Sequence, residues 1–178
     1  MTAHGPLSLA LHEFRASGSS WLALPFFSGG AADAVCARVD RRIAEGATVL
    51  PSPDAVFRAL TLTPLETVKA VILGQDPYPT PGDANGLAFS YVGPRRLPAS
   101  LKVILAELPG APASGDLTPW ARRGVLLLNS ALTVEAGKSG AHLRYGAGRY
   151  RYAIGREIPC AGAVLLPSVA PGHRARGG

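Results

Sequence analysis

The residues best equipped for chemistry sit in one stretch, Val68–Ser90, which reads VKAVILGQDPYPTPGDANGLAFS. Within it Gln75 supplies an amide, Asp76 a carboxylate, and Tyr78 and Phe89 flat aromatic faces. The preceding apolar run, Val71-Ile72-Leu73, has the length and β-branched character of a buried parallel strand. Gly74 ends that run. Pro77, Pro79 and Pro81 then each hold φ near one value, so the loop is stiff. Gly82 and Gly86 let the backbone turn, and Leu87-Ala88-Phe89-Ser90 is expected as a second short extended piece. In open α/β sheets, ligands bind in the crevice at the carboxyl ends of the strands. A carboxylate, an amide and two aromatics held there by prolines make a prepared pocket. Taken singly, the same residues would also suit a proline-rich surface turn.

A second strand carries another polar group to a strand end. Val125-Leu126-Leu127-Leu128 is a buried apolar run, and Asn129 follows it. An asparagine in that place often does no more than cap the strand.

Two strings turn these residues into a specific expectation. Gly74-Gln75-Asp76-Pro77-Tyr78 and then Gly86-Leu87-Ala88-Phe89-Ser90 resemble the water-activating loop and base-stacking segment of the family 1 uracil-DNA glycosylases. GVLLLNSALTVEAGKSGAH, from Gly124 to His142, resembles that family's segment bearing a uracil-reading asparagine. The resemblance implies a three-layer α/β fold with a central parallel β-sheet flanked by helices. It also implies hydrolysis of the N-glycosidic bond of uracil in DNA, leaving an abasic site. Such an enzyme flips the nucleotide out of the stack into its pocket. Asp76 would then stabilise the oxocarbenium-like sugar and orient the attacking water. Asn129 would offer an acceptor to N3–H and a donor to O4 of uracil, a polarity that cytosine reverses. Phe89 would stack on the base, Tyr78 would stand against C5, where thymine carries its methyl, and Gln75 would complete the base contacts. Pro98 and Ser100 match a proline-serine loop that contacts the DNA backbone, and Arg95, Arg96 and Lys102 add positive charge nearby.

The elements that must position this pocket are partly legible. Val35, Val39 and Ile43 repeat on one face of a helix starting at Ala31 and stopped by Gly46, with Arg38, Arg41 and Arg42 expected on a solvated face. Ser52-Pro53 reads as the cap and first position of a helix carrying Val56, Phe57 and Leu60. Ser100 suits the N-cap of a helix with Leu101, Ile104, Leu105 and Leu108 on one face, ended by Pro109-Gly110. Thr118-Pro119-Trp120 starts a short helix that Gly124 ends. Trp21 and Pro25-Phe26-Phe27 are expected to pack onto the main body.

Length and composition set outer bounds. At 178 residues the chain suits one domain. No apolar run approaches the roughly 18 residues needed to span a membrane, and the N-terminus is a poor signal peptide. Cys36 and Cys160 make neither a disulfide framework nor a metal cluster, so a reduced, cytoplasmic protein without a structural metal is expected. The family resemblance implies in addition a monomer that works without metal or organic cofactor. The four-cysteine pattern of iron–sulfur glycosylases is absent. So are the GxxxxGKS/T and GxGxxG phosphate loops, which weakens an unrelated nucleotide-binding reading. The net charge is +6, yet residues 1–142 hold 12 Lys and Arg against 11 Asp and Glu. Global charge therefore says nothing about whether the pocket region meets DNA.

After His142 the resemblance fails. Residues 143–178 carry six Arg and one Glu, and contain neither a tryptophan nor the family's His-Pro-Ser-Pro motif. Ala163 to Leu166 could make one short strand, Pro167-Ser168 only faintly matches the absent motif, and His173 sits in a Gly/Arg-rich end. The expected organisation is an incomplete glycosylase-like domain over 1–142 and a basic tail over 143–178, with the C-terminal strands missing or altered. A shifted reading frame in GC-rich coding sequence gives this composition; a diverged basic arm for DNA is the other source. The expected substrate is uracil-containing DNA, single- or double-stranded, acted on by a chain crippled in its C-terminal part. The alternative is an inactive or unstable remnant that at most binds uracil or DNA.

Overall fold

The structure, a computed structural model, describes residues 5–107, 114–145 and 163–164. The helices are α1 (Pro6–Ala16), α2 (Pro25–Ser28), α3 (Ala31–Ala44), α4 (Arg58–Leu62), α5 (Ala99–Ala106) and α6 (Thr118–Ala121). The strands are β1 (Val49–Leu50), β2 (Ala70–Gly74), β3 (Val125–Asn129), β4 (Val134–Glu135) and β5 (Ala163–Val164). Short 3-10 turns cover Ser20–Ala23, Pro53–Ala55 and Leu65–Thr67. Leu108, Pro109-Gly110, Cys160, Pro167-Ser168 and His173 lie outside the described residues, as does the rest of the tail beyond Tyr145 apart from β5.

The parallel sheet is the expected one. β2 and β3 pair in register from Ala70–Val125 to Gly74–Asn129, and β5 pairs in parallel with Val71 and Ile72 on the other side of β2. The order is β3-β2-β5. Leu126, Leu127 and Leu128 are each buried, as a strand covered on both faces requires. Helices α4 and α6 pack on β3. Among the described residues no helix is long and apolar enough to cross a membrane.

The N-terminal region, for which no helix was expected, folds as α1 with Leu7, Ala10, Leu11 and Phe14 on one buried face, and packs along α3. What stabilises its first turn comes from elsewhere in the chain. Asp40 on α3 accepts from the backbone N–H of Leu7 at 2.7 Å and of Ser8 at 3.0 Å, and from the Ser8 hydroxyl at 2.6 Å. A carboxylate on free helical N–H groups is favourable both as a cap and against the helix dipole. Arg15 then pairs bidentately with Asp33, both bonds 2.6 Å. Trp21 is fully buried and donates its indole N–H to the Thr63 carbonyl at 2.9 Å. Phe14 stacks on Phe57 with centroids 4.9 Å apart and tilts against Phe27 at 5.4 Å.

Three local expectations are corrected by this packing. The chain after Ser52 is not one helix but a 3-10 turn followed by α4, because the backbone leaves helical geometry at Phe57, with Val56 and Phe57 both packed into the core between the two pieces. Ser100 is not a cap: Pro98 holds the N-cap position of α5 and Ser100 lies inside its first turn. Leu87–Ser90 is not extended but a tight turn, in which Phe89 adopts φ of 61°.

A two-stranded antiparallel ribbon, β1 with β4, was not legible in the sequence. It brings Glu135 to α3. Arg42 is only part-exposed and donates from Nε to Glu135 at 2.7 Å, while Lys138 reaches the other carboxylate oxygen at 2.7 Å. These two cations hold Glu135 ionised, with a pKa lowered to about 2. Arg38 lies 4.0 Å from the Tyr145 ring centroid, and Tyr145 stacks on buried His142. Two of the three arginines of α3 are therefore structural rather than simply solvated. Burial pushes the His142 pKa down.

Candidate active site

Because β2 and β3 run parallel, their carboxyl ends lie on one edge of the sheet. Gly74 and Asn129 are register partners there. The Asn129 side chain lies directly over the Gly74 backbone: a Cβ added to Gly74 would fall 2.2 Å from Asn129 Oδ1 and 3.1 Å from Ala88 Cβ. Asn129 is buried, and its amide makes no side-chain hydrogen bond among the described residues, so both its donor and its acceptor are available to a ligand. Gly74 is thus required for space rather than for conformation. Gly74→Ala is expected to displace the Asn129 amide and, if the activity implied by the family resemblance is present, to lower its rate about 10²-fold, the scale of a misplacement near 1 Å. Comparing its rate and melting temperature with wild type checks this; an unchanged rate would refute it.

Asp76 follows Gly74 by two residues and enters the same edge. Gln75 Nε2 donates to its Oδ1 at 3.0 Å, and the Gly140 backbone N–H donates to Oδ2. The Ser139 hydroxyl lies 3.3 Å from Oδ1 and 3.2 Å from Oδ2. Gln75 Nε2 also reaches Ser139 Oγ at 3.3 Å, so its side-chain amide is committed to this cluster. Its carbonyl accepts from the Ala131 N–H at 3.0 Å, which ties the loop to the segment after Asn129. Ser139 and Gly140 were not singled out from the sequence. A serine between glycines reads as a turn, and only the fold brings it to Asp76.

The aromatic pair stands on the other side. Tyr78 donates its hydroxyl to the Phe89 carbonyl at 3.1 Å and meets Tyr91 edge to face at 5.7 Å. Burial raises the Tyr78 pKa, partly opposed by a hydrogen bond with Ser100. The Phe89 turn is fastened by the Ala88 N–H to the Leu127 carbonyl of β3 at 3.0 Å. Behind it, Asp116 Oδ1 accepts from Asn85 Nδ2 at 3.0 Å, Thr118 Oγ1 at 2.6 Å and the Thr118 N–H at 3.0 Å. Burial works against ionisation of Asp116, but the Thr118 bonds outweigh it and hold its pKa below the usual range. Asp116 is a second support that sequence reasoning passed over. Arg95 is bound to Asp83, which leaves exposed Arg96 and Lys102, among the described residues, as the cations free to meet an anion beside Pro98 and Ser100.

The edge thus gathers Gln75, Asp76 and Asn129, with Tyr78 and Phe89 joined through one hydrogen bond beside it. Comparisons with known proteins place the chain as a whole. The family model described as the uracil DNA glycosylase superfamily matches residues 60–159. The chain is 50% identical over 119 residues to the uracil-DNA glycosylase of Chromobacterium violaceum, covering 62% of this chain and 50% of that protein. It is 54% identical over 104 residues to the uracil-DNA glycosylase of Acinetobacter baumannii, covering 56% of this chain and 44% of that protein. The chain therefore spans about half the length of these curated relatives. In fold it is similar to the crystal structure of mimivirus uracil-DNA glycosylase, with a TM-score of 0.64, 24% identity, and 85% of this chain and 55% of that one covered. With that family model matching more than half of its residues, and with the fold in agreement, this chain belongs to the uracil DNA glycosylase superfamily.

Proposed function

We propose that this chain hydrolyses the N-glycosidic bond of uracil in DNA, single- or double-stranded, as a cytoplasmic monomer and without a cofactor. The observation that carries the reading is the register of Gly74 with Asn129, which sets an unpaired buried amide beside the loop bearing Asp76. Asp76 stabilises positive charge developing on the sugar and orients the water that attacks it. Asn129 reads the N3–H and O4 edge of uracil. Phe89 stacks on the flipped base, and Gln75 acts from beside Asp76. Pro98 and Ser100 meet the DNA backbone at the start of α5, where helical N–H groups lack intrahelical partners. Incubating purified protein with a uracil-containing single strand and measuring free uracil tests the proposal. Release that exceeds a no-protein control and spares cytosine supports it; no release at any protein concentration overturns it.

Tyr78 is assigned to thymine exclusion. Its ring stands between two prolines, with its hydroxyl fastened to Phe89, so it cannot easily move aside for a methyl group. Simple fit rejects one methyl by about 1–3 kcal/mol, or roughly 10–200-fold. Tyr78→Ala is expected to raise thymine release relative to uracil within that range. A variant that still releases uracil but never thymine would remove this role from Tyr78.

A further inference from the structure

We propose that the turn 135–140 is the positioning element of Asp76, with Ser139 the side chain that aims its carboxylate; this deepens the glycosylase reading above and rests on it.

A carboxylate on a short side chain can rotate about its last bond. The Gln75 donor to Oδ1 comes from the adjacent residue and moves with the loop. Ser139 and Gly140 come instead from 63 and 64 residues away and reach Asp76 as fixed external points. The Gly140 N–H takes Oδ2, while the Ser139 hydroxyl straddles both oxygens. One hydroxyl proton serves only one oxygen at a time. Three protein donors therefore meet about four lone-pair directions, and at least one direction is left for a water. The arrangement holds the plane of the carboxylate without filling it.

The turn itself is held from three sides. The Gly137 N–H donates to the Pro79 carbonyl at 2.8 Å, which joins the turn to the stiff loop carrying Asp76. The Lys138 N–H returns to the Glu135 carbonyl at 2.9 Å, and Lys138 Nζ reaches the Glu135 carboxylate at 2.7 Å. Arg42 then anchors Glu135 to α3. Gly137 and Gly140 take φ of 74° and 81°, which lets the turn curl back over Asp76. Ser139 is exposed, so truncating it leaves the core intact.

The test uses the full chain. In single-turnover uracil release from a uracil-containing single strand, Ser139→Ala is expected to lower the rate constant about 10-fold, the scale of one hydrogen bond to a charged group. The DNA concentration giving half-saturation stays unchanged, and Ser139→Thr restores most of the rate. A Ser139→Ala rate equal to wild type, or a loss confined to DNA affinity, overturns the proposal. A second measurement does not depend on turnover. The Gly140 amide proton, bonded to a carboxylate, is expected downfield in the NMR spectrum, to move upfield in Asp76→Asn, and to shift in Ser139→Ala. A Gly140 amide indifferent to Asp76→Asn overturns the positioning whether or not the chain is active. An inactive wild type with the Gly140 response intact rejects the glycosylase reading while upholding the positioning.

Discussion

Asp76→Asn is expected to lower uracil release on the order of 10³-fold while leaving DNA binding nearly unchanged. Asparagine has the same shape but no charge, so it loses the attraction for a cationic sugar and the ability to orient a nucleophilic water. It also fits its surroundings badly. Gln75 Nε2, Ser139 Oγ and the Gly140 N–H all approach this side chain as donors, and an amide has one acceptor oxygen rather than two. One donor must then face the new NH2 group, and the side chain rotates or the turn retreats. The loss of charge acts on the transition state alone, so it is read in the single-turnover rate and not in affinity. The substitution is measured both in the chain as it stands and in the chimera described next. A variant within 10-fold of the parent in either would show that Asp76 is not the group that carries the reaction.

Replacing residues 143–178 by the C-terminal part of a family member is expected to raise uracil release from duplex DNA by at least 10²-fold. The resemblance implies that the family's His-Pro-Ser-Pro histidine donates to uracil O2 as negative charge develops there. Loss of one preorganised donor of that kind costs about 10²–10³ in rate. The family's following leucine, which wedges into the duplex, has no counterpart after His142 either. Its absence weighs most on duplex substrate, where unstacking a base costs a few kcal/mol. The sheet adds a structural reason. β5 pairs with only Val71 and Ile72 of the five-residue strand β2, so the strand end leading to Asp76 has β3 alone beside it among the described residues. A longer partner strand would stiffen that end and cover an edge open to unwanted pairing. Rates on matched single- and double-stranded substrates check the expectation, with the larger gain on the duplex. Equal rates for chain and chimera on uracil-containing duplex would refute it.

The apolar runs of β2 and β3, and the polar residues at their ends, follow from the sequence by itself. Blocks of three and four Val, Ile and Leu residues closed by Gly74 and Asn129 leave little choice of element, and parallel pairing then puts both ends on one edge. The α3 helix was equally legible, since Val39 and its neighbours repeat at helical spacing and Gly46 stops the run at φ of 92°. What local pattern could not decide was every feature whose partner lies far along the chain. Phe89 has strong extended preference, yet a bond from Ala88 to β3 bends its turn into the left-handed region. Ser100 has the chemistry of a cap, but the helix already starts at Ala99, so Pro98 holds the cap position and Ser100 lies inside the first turn. Ser139 and Gly140 look like turn filler until the β1–β4 ribbon and the Arg42–Glu135 pair carry them onto Asp76. Residue type and spacing thus determined which groups are available for chemistry. Tertiary structure decided which of them are held still, because orientation at a site is set by donors and walls that only the folded chain brings within hydrogen-bond range.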